Sequence, residues 1–239
     1  MQTIQNKNIL LVGATGGIGQ ETAKLLKQSH ANLHIAGRNQ AKLEELASSL
    51  GLPDNQVHQL DISDENGVAQ TAETIHAQIP ALDMLINVAG VGIVKPFESL
   101  TADDFRRTMD ANLLGPFLLL KHFLPNMKTQ KEGLILNLPG VLGKTPMAAA
   151  SVYAASKYGL NGMLKSVREE LRRTNIRITN LYLGGTDTEF WDEDIDIRFQ
   201  REKFVSAKEA ARSIWFLCQQ PNSGVVSEMV LQPFNHQAI

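Results

Sequence analysis

Cysteine is almost absent from this chain: Cys218 is the only one among 239 residues. An internal disulfide is therefore excluded, and a cytosolic compartment fits. Cys218 stands in the apolar run IWFLC, which suits a core position. A large charge of one sign is missing too. The formal net charge is −2, which gives no broad attraction to nucleic acid or to an anionic membrane. No segment approaches the roughly 20 apolar residues that a membrane helix needs. The opening MQTIQNKNILLVGATGG carries too short an apolar run for a signal peptide. The six histidines (30, 34, 58, 76, 122, 236) form neither a HExxH-type pair nor a cluster with cysteine, so no metal site is expected. Linkers, low-complexity tracts and internal repeats are also lacking. One domain spanning 1–239 is expected, long enough to bury a sizeable core.

What the chain does have is alternation. Short β-branched runs at 8–13, 32–37, 55–61, 82–90, 133–138, 176–183 and 227–233 are separated by amphipathic stretches with helical spacing. Asp64 is placed to cap the third helix, which should run to about Ile79, and Thr101 to open a long one over 101–127 with acids in its first turn. Another long helix is expected over 149–173. The strands are apolar almost throughout, as strands covered by helices on both faces must be. This implies an α/β fold: a doubly wound, Rossmann-type parallel sheet of about seven strands. The weakly patterned stretch 184–204, with Phe190 and Trp191, reads as a lid over a substrate or as a plain surface loop.

The first strand runs into GATGGIG, which places Gly13, Gly17 and Gly19 at a strand-to-helix turn. Glycines there permit a tight turn and a close approach of backbone to phosphate, and the helix N-terminus supplies N–H donors and a positive dipole. No G-K-[ST] follows, which excludes a nucleoside triphosphatase loop. The second strand ends in Gly37-Arg38-Asn39, where a carboxylate would bond the ribose hydroxyl of NAD. Arg38 suits a 2′-phosphate instead, which favours NADP(H). The third strand ends in Leu60-Asp61-Ile62, and Asp61 could face the adenine edge.

Together Gly13/Gly17/Gly19, Asn87-Val88-Ala89-Gly90, Asn112 and Tyr153-x-x-x-Lys157 resemble the short-chain dehydrogenase/reductase family, over almost the whole chain. The resemblance implies hydride transfer between a carbinol and a carbonyl, with a nicotinamide cofactor. It implies cofactor contacts from Gly13, Thr15, Gly17, Ile18 and Gly19; from Asn87, Ala89 and Gly90; from Tyr153 and Lys157; and from Gly184, Thr186 and Thr188. Tyr153 resembles the family's acid/base, Lys157 its partner, and Asn112 the asparagine that holds a water linking the lysine to solvent. A nearby ammonium is expected to pull the pKa of the phenol down from about 10. The resemblance also implies a homodimer or homotetramer, paired through the helices near 101–127 and 149–173.

One departure stands out. The family places a serine 13 residues before the tyrosine, and here that residue is Gly140, in the pair Pro139-Gly140. Losing one donor to a developing oxyanion costs roughly 100- to 1000-fold in rate. Thr145, Ser151, a water or nothing could stand in for it. Val91, Ile93, Leu142, Met147, Phe190 and Trp191 suggest an apolar substrate pocket, though core or loop packing explains them as well. The leading expectation is an NADP(H)-dependent oxidoreductase on a small carbonyl or alcohol, slowed by the missing serine. The alternative is a cofactor-binding redox sensor or scaffold with little turnover.

Overall fold

The computed structural model describes residues 2–191, 200–221 and 223–234. Of the expected lid at 184–204, residues 192–199 lie outside the described residues. The chain alternates as expected: β1 (Asn8–Val12), α1 (Gly17–Gln28), β2 (Asn32–Gly37), α2 (Gln40–Leu50), β3 (Val57–Gln59), α3 (Glu65–Gln78) and β4 (Met84–Asn87). Then come α4 (Ala102–Met109), α5 (Gly115–Gln130), β5 (Glu132–Asn137), α6 (Ser151–Glu170) and β6 (Asn175–Leu183). Two short strands, β7 (Thr186–Asp187) and β8 (Val205–Ser206), precede α7 (Ala207–Cys218) and β9 (Glu228–Leu231).

Seven strands form one sheet in the order β3-β2-β1-β4-β5-β6-β9, and every pair is parallel. The sheet divides the core in two because alternate side chains point to opposite faces. Ile9 and Leu11 of β1 pack with α1, α2 and α7, whereas Leu10 and Val12 pack with α3, α5 and α6. Each such buried side chain contributes about 1.5–3 kcal/mol relative to its exposed state. A one-residue slip of register would turn every apolar residue of a strand to the wrong layer, so the register is strongly set.

Several strands are shorter than their sequence suggests, two of them by half or more. The run 55–61 gives only Val57–Gln59, because Asp54–Gln56 wind into a 3-10 turn. The run 82–90 leaves the sheet at Asn87. The expected helix 101–127 is two α-helices joined by a π turn at Asp110–Leu114. Its N-terminus closes with a capping box: Thr101 Oγ1 accepts from Asp104 N, and Asp104 Oδ2 accepts from Thr101 N. Asp64 caps α3 by accepting from Asn66 N. Strand order reverses between β1 and β4, and the C-terminal ends of these two strands open the crevice where an α/β sheet of this kind places its ligand.

Candidate active site

Gly13 leaves β1 at φ +82°, and a Cβ on it would lie 2.6 Å from Ala89 N. The turn after β1 is thus pressed against the turn after β4, and only glycine fits both the space and the dihedral. A Cβ on Gly19 would meet Gly13 O at 2.1 Å, which sets α1 directly on the turn. Side chains close the N-termini of α2, α3, α4 and α7, but the residue before α1 is Gly16, which offers no such cap. The first turn of α1 carries no acid either. Uncapped N–H groups and an uncompensated positive dipole suit a pyrophosphate. Ile18 and Gly17 belong to that first turn. Thr15 lies at the β2 end of the turn, with Oγ1 3.2 Å from where a Cβ of Gly37 would stand.

At the end of β2 Arg38 is exposed, and its backbone carbonyl accepts from Gln59 Nε2 at 3.2 Å. One carboxylate lies in its field. Asp61 accepts from both Ser63 N and Ser63 Oγ. Burial pulls the Asp61 pKa up, but the two Ser63 bonds and then the Arg38 charge outweigh it and hold the group below its ordinary value. Asp61 is therefore engaged with its own turn and with Arg38. The residues around the crevice fit a dinucleotide: glycines where side chains would clash, an uncapped helix start, and an exposed guanidinium at the end of β2.

The side where the catalytic pair is expected is built on α6. Tyr153 and Lys157 are one turn apart, with Lys157 Nζ 5.8 Å from the Tyr153 ring centroid. Lys157 is buried and donates to Leu138 O at 2.9 Å. Burial pushes its pKa down to about 8. The expectation for Tyr153 is corrected: burial raises the phenol above its ordinary value, and the lysine, bonded to a carbonyl, does not offset it. Asn112 is fully buried in the π turn. Its Oδ1 accepts from Val91 N at 2.9 Å, and Nδ2 donates to Val91 O at 2.8 Å and to Ser156 Oγ at 3.0 Å. The π turn aims this amide at the loop after β4. Gly90 lies between the two groups, since a Cβ there would be 2.9 Å from Asn112 Oδ1 and 3.4 Å from Lys157 Nζ.

Asn87 closes β4 opposite Asn137 and accepts from Ala89 N at 3.1 Å, so this pair supports the turn. After β6, Gly184 N donates to Leu231 O, and a Cβ on Gly184 would meet Pro233 Cδ at 2.7 Å. Thr186 is buried and its carbonyl accepts from Trp191 Nε1. The Thr188 methyl lies 2.9 Å from where a Cβ of Gly17 would be, which brings the strap after β6 onto the glycine turn.

Sequence reasoning missed how that strap crosses the crevice. Glu189 pairs with Lys42 of α2 at 3.2 Å. The Phe190 ring rests on Gly92 and stands 5.9 Å from the Tyr153 ring. Trp191 packs edge-on against both Phe190 and Phe204. Ser156 was missed as well: it donates to Tyr153 O and accepts from Asn112, tying the asparagine to the tyrosine's own helix turn. A hydroxyl next to the lysine in an apolar helix was its only signal. Ile93, expected in the pocket wall, is buried at 1% exposure and belongs to the core.

Gly140 holds φ +67°, ψ 170° and starts the 3-10 turn Val141–Gly143. That backbone region is essentially glycine-only. A Cβ there would meet only Leu183 O, at 3.4 Å. Ser151 is the first residue of α6 and is exposed, and it follows directly on Ala150 of the apolar cluster that Tyr153 packs against. Thr145 ends the loop, with its N–H on Val141 O.

A family model described as short chain dehydrogenase matches residues 7–196. An uncharacterized oxidoreductase of Staphylococcus saprophyticus is 28% identical over 243 residues, covering 98% of each chain. The 3-oxoacyl-[acyl-carrier-protein] reductase of Aquifex aeolicus is 28% identical over 238 residues, covering 95% of this chain and 96% of that one. Among solved structures, a metagenomic short-chain oxidoreductase in complex with NADP superposes with a TM-score of 0.83 at 26% identity, covering 98% of this chain and 100% of its own.

Proposed function

As a member of the short-chain dehydrogenase family, by the match over 7–196, this chain is an oxidoreductase, and we propose that it uses NADP(H) to interconvert a carbonyl and an alcohol. The observation that carries the proposal is the α6 stripe: a buried Lys157 one turn from Tyr153, set beside Gly90 and Asn112 at the crevice of the sheet. Arg38 at the end of β2 supports the phosphorylated cofactor, as does the NADP bound by the metagenomic relative.

Bound NADPH supplies the hydride. The chain's residues manage the proton and the geometry. A carbonyl that gains a hydride at carbon must gain a proton at oxygen, and Tyr153 is the donor. Its raised pKa keeps it protonated at neutral pH, which suits the reducing direction. Lys157, near 8 through burial, is mostly protonated at neutral pH; its charge stabilises the phenolate left behind and its proton can reload it. Asn112 fixes the loop after β4 and, through Ser156, the turn that carries Tyr153. Phe190 covers the tyrosine from the strap and limits water there. The lack of a side chain at Gly140 favours a second reading, a cofactor-binding sensor with little turnover.

The helices near 101–127 and 149–173 offer a face for a second copy. Leu114 and Phe117 are exposed there around an apolar concavity that Met109, Gly159 and Met163 also line. This supports a homo-oligomer. Among the described residues no helix is long and apolar enough to cross a membrane.

Fluorescence titration with NADPH and NADH, followed by assay on a ketone panel, tests the function. Tighter binding of NADPH and its oxidation by a ketone are expected. Tight binding without turnover on any carbonyl would leave only the sensor reading.

A further inference from the structure

The loop 138–144 lies along α6 and meets it once per turn. Leu142 belongs to the apolar cluster that Tyr153 packs against, Leu138 O accepts from Lys157 Nζ, and Gly143 O accepts from Asn161 Nδ2 at 3.0 Å. Tyr153, Lys157 and Asn161 are four apart and form one stripe. The contact is close: a Cβ on Gly143 would lie 3.2 Å from Lys157 O. Two residues of the stripe have roles in the proposed chemistry. Asn161 does not.

Asn161 is 9% exposed, and its Oδ1 accepts from Tyr182 OH at 2.7 Å and from Asn180 Nδ2 at 3.4 Å. Tyr182 is fully buried on β6, and its oxygen is also 3.2 Å from Glu228 Oε1 on β9. Glu228 Oε2 in turn holds Lys144 Nζ at 2.6 Å, and that ammonium sits 4.3 Å over the Tyr182 ring. Tyr158 OH donates to Lys144 O. The network therefore starts and ends on the loop, at residues 143 and 144. With Tyr182 donating to Oδ1, the Asn161 amide has one orientation, and its Nδ2 faces Gly143 O.

We infer that Asn161, oriented by the Tyr182 hydroxyl and the Asn180 amide, is a positioning residue that holds the 138–144 loop on α6 and so keeps Leu138 O and Leu142 set against Lys157 and Tyr153. Gly140 adds no side chain to anchor this loop, so its placement depends on its backbone hydrogen bonds and on the packing of Leu142. If the loop lifts, water reaches Lys157, whose lowered pKa depends on burial. The catalytic part of this inference rests on the reductase reading.

The test compares wild type with Asn161→Ala, Asn161→Asp and Tyr182→Phe, with Lys24→Ala on α1 as a distant control. Asn161→Asp keeps an acceptor for Tyr182 but loses the donor to Gly143 O. The measurements are kcat and KM on ketones and β-keto esters, NADPH affinity, the pH profile of kcat, and amide hydrogen exchange over 138–144. Both Asn161 variants should lose tenfold or more in kcat, with NADPH affinity within twofold of wild type. The pH midpoint should rise by about half a unit or more as Lys157 hydrates, and the loop amides should exchange at least tenfold faster. Tyr182→Phe keeps the buried ring and should change the same quantities to a smaller degree; it carries the test if the Asn161 variants do not fold. A folded Asn161→Ala with wild-type kcat, pH midpoint and exchange overturns the inference. If wild type binds NADPH but reduces no probe, the reductase reading fails, and hydrogen exchange alone decides whether Asn161 holds the loop.

Discussion

Replacing Gly140 by serine restores the hydroxyl that the family resemblance calls for, yet the structure argues against rescue. At φ +67°, ψ 170° an L residue is strained by about 1–3 kcal/mol. Reduced freedom of the unfolded chain returns about 0.4–1 kcal/mol. The net destabilisation is about 0.5–2 kcal/mol, which for a chain of this size lowers Tm by about 1–8 °C. The new Cβ would point towards Leu183 O at 3.4 Å, so the hydroxyl has a carbonyl to bond other than the substrate's. A well-placed donor is worth roughly 100- to 1000-fold in rate, and a gain of that size is not expected. Calorimetry and ketone-reduction rates on wild type, Gly140→Ala and Gly140→Ser separate the two effects. Alanine carries the strain alone, so the serine–alanine difference isolates the hydroxyl. Both variants should melt lower than wild type, with kcat differing between them by less than about threefold. A Gly140→Ser protein that melts at the wild-type temperature and turns over tenfold faster or more would refute the reasoning, because the backbone would then be relaxed and only a hydroxyl would have been missing.

Other perturbations follow from the same geometry. Arg38→Ala removes a charge-assisted bond worth about 1.5–3 kcal/mol; NADPH affinity should fall about 10- to 100-fold while NADH affinity changes less than threefold, read by fluorescence titration. The buried His34 Nδ1–His58 Nε2 pair, 3.0 Å apart, makes the fold acid-sensitive. Burial, then the neighbouring His34, lowers the His58 pKa to about 4, so the unfolded chain takes the proton first as pH drops below 6.5. Stability should be fully present above pH 6.5 and fall by about 3 kcal/mol towards pH 4; urea midpoints across that window check it, and His58→Gln should flatten the slope. Phe117→Glu places a charge on the apolar face of α5 and should shift the protein to a smaller species in sedimentation, with its melting temperature little changed.

The sheet was legible because all its central strands are covered on both faces, so apolar runs mark them directly. Ends were less legible. Residues 88–90 follow β4 in sequence character but leave the sheet, since Asn87 turns the chain by accepting from Ala89 N. The π turn had one clue, a polar Asn112 within an apolar helix, which gives the position but not the geometry. Glycines and the tyrosine–lysine spacing are local patterns and could be read. Contacts between distant segments could not: Phe190 on Tyr153, or Asn161 with Tyr182 and Glu228, depend on how the layers stack. The pKa direction of Tyr153 failed for the same reason. Spacing on a helix predicts a neighbour, while burial, which here outweighs it, is a property of the whole fold.

The central claim is that Tyr153 supplies the proton during NADPH-driven carbonyl reduction. A single-turnover experiment tests it: enzyme preloaded with NADPH is mixed with a ketone, and nicotinamide absorbance is followed for wild type and Tyr153→Phe. The account predicts that both proteins bind NADPH within twofold of each other, and that oxidation slows about 100- to 10,000-fold in the variant. Equal oxidation rates in the two proteins would contradict it.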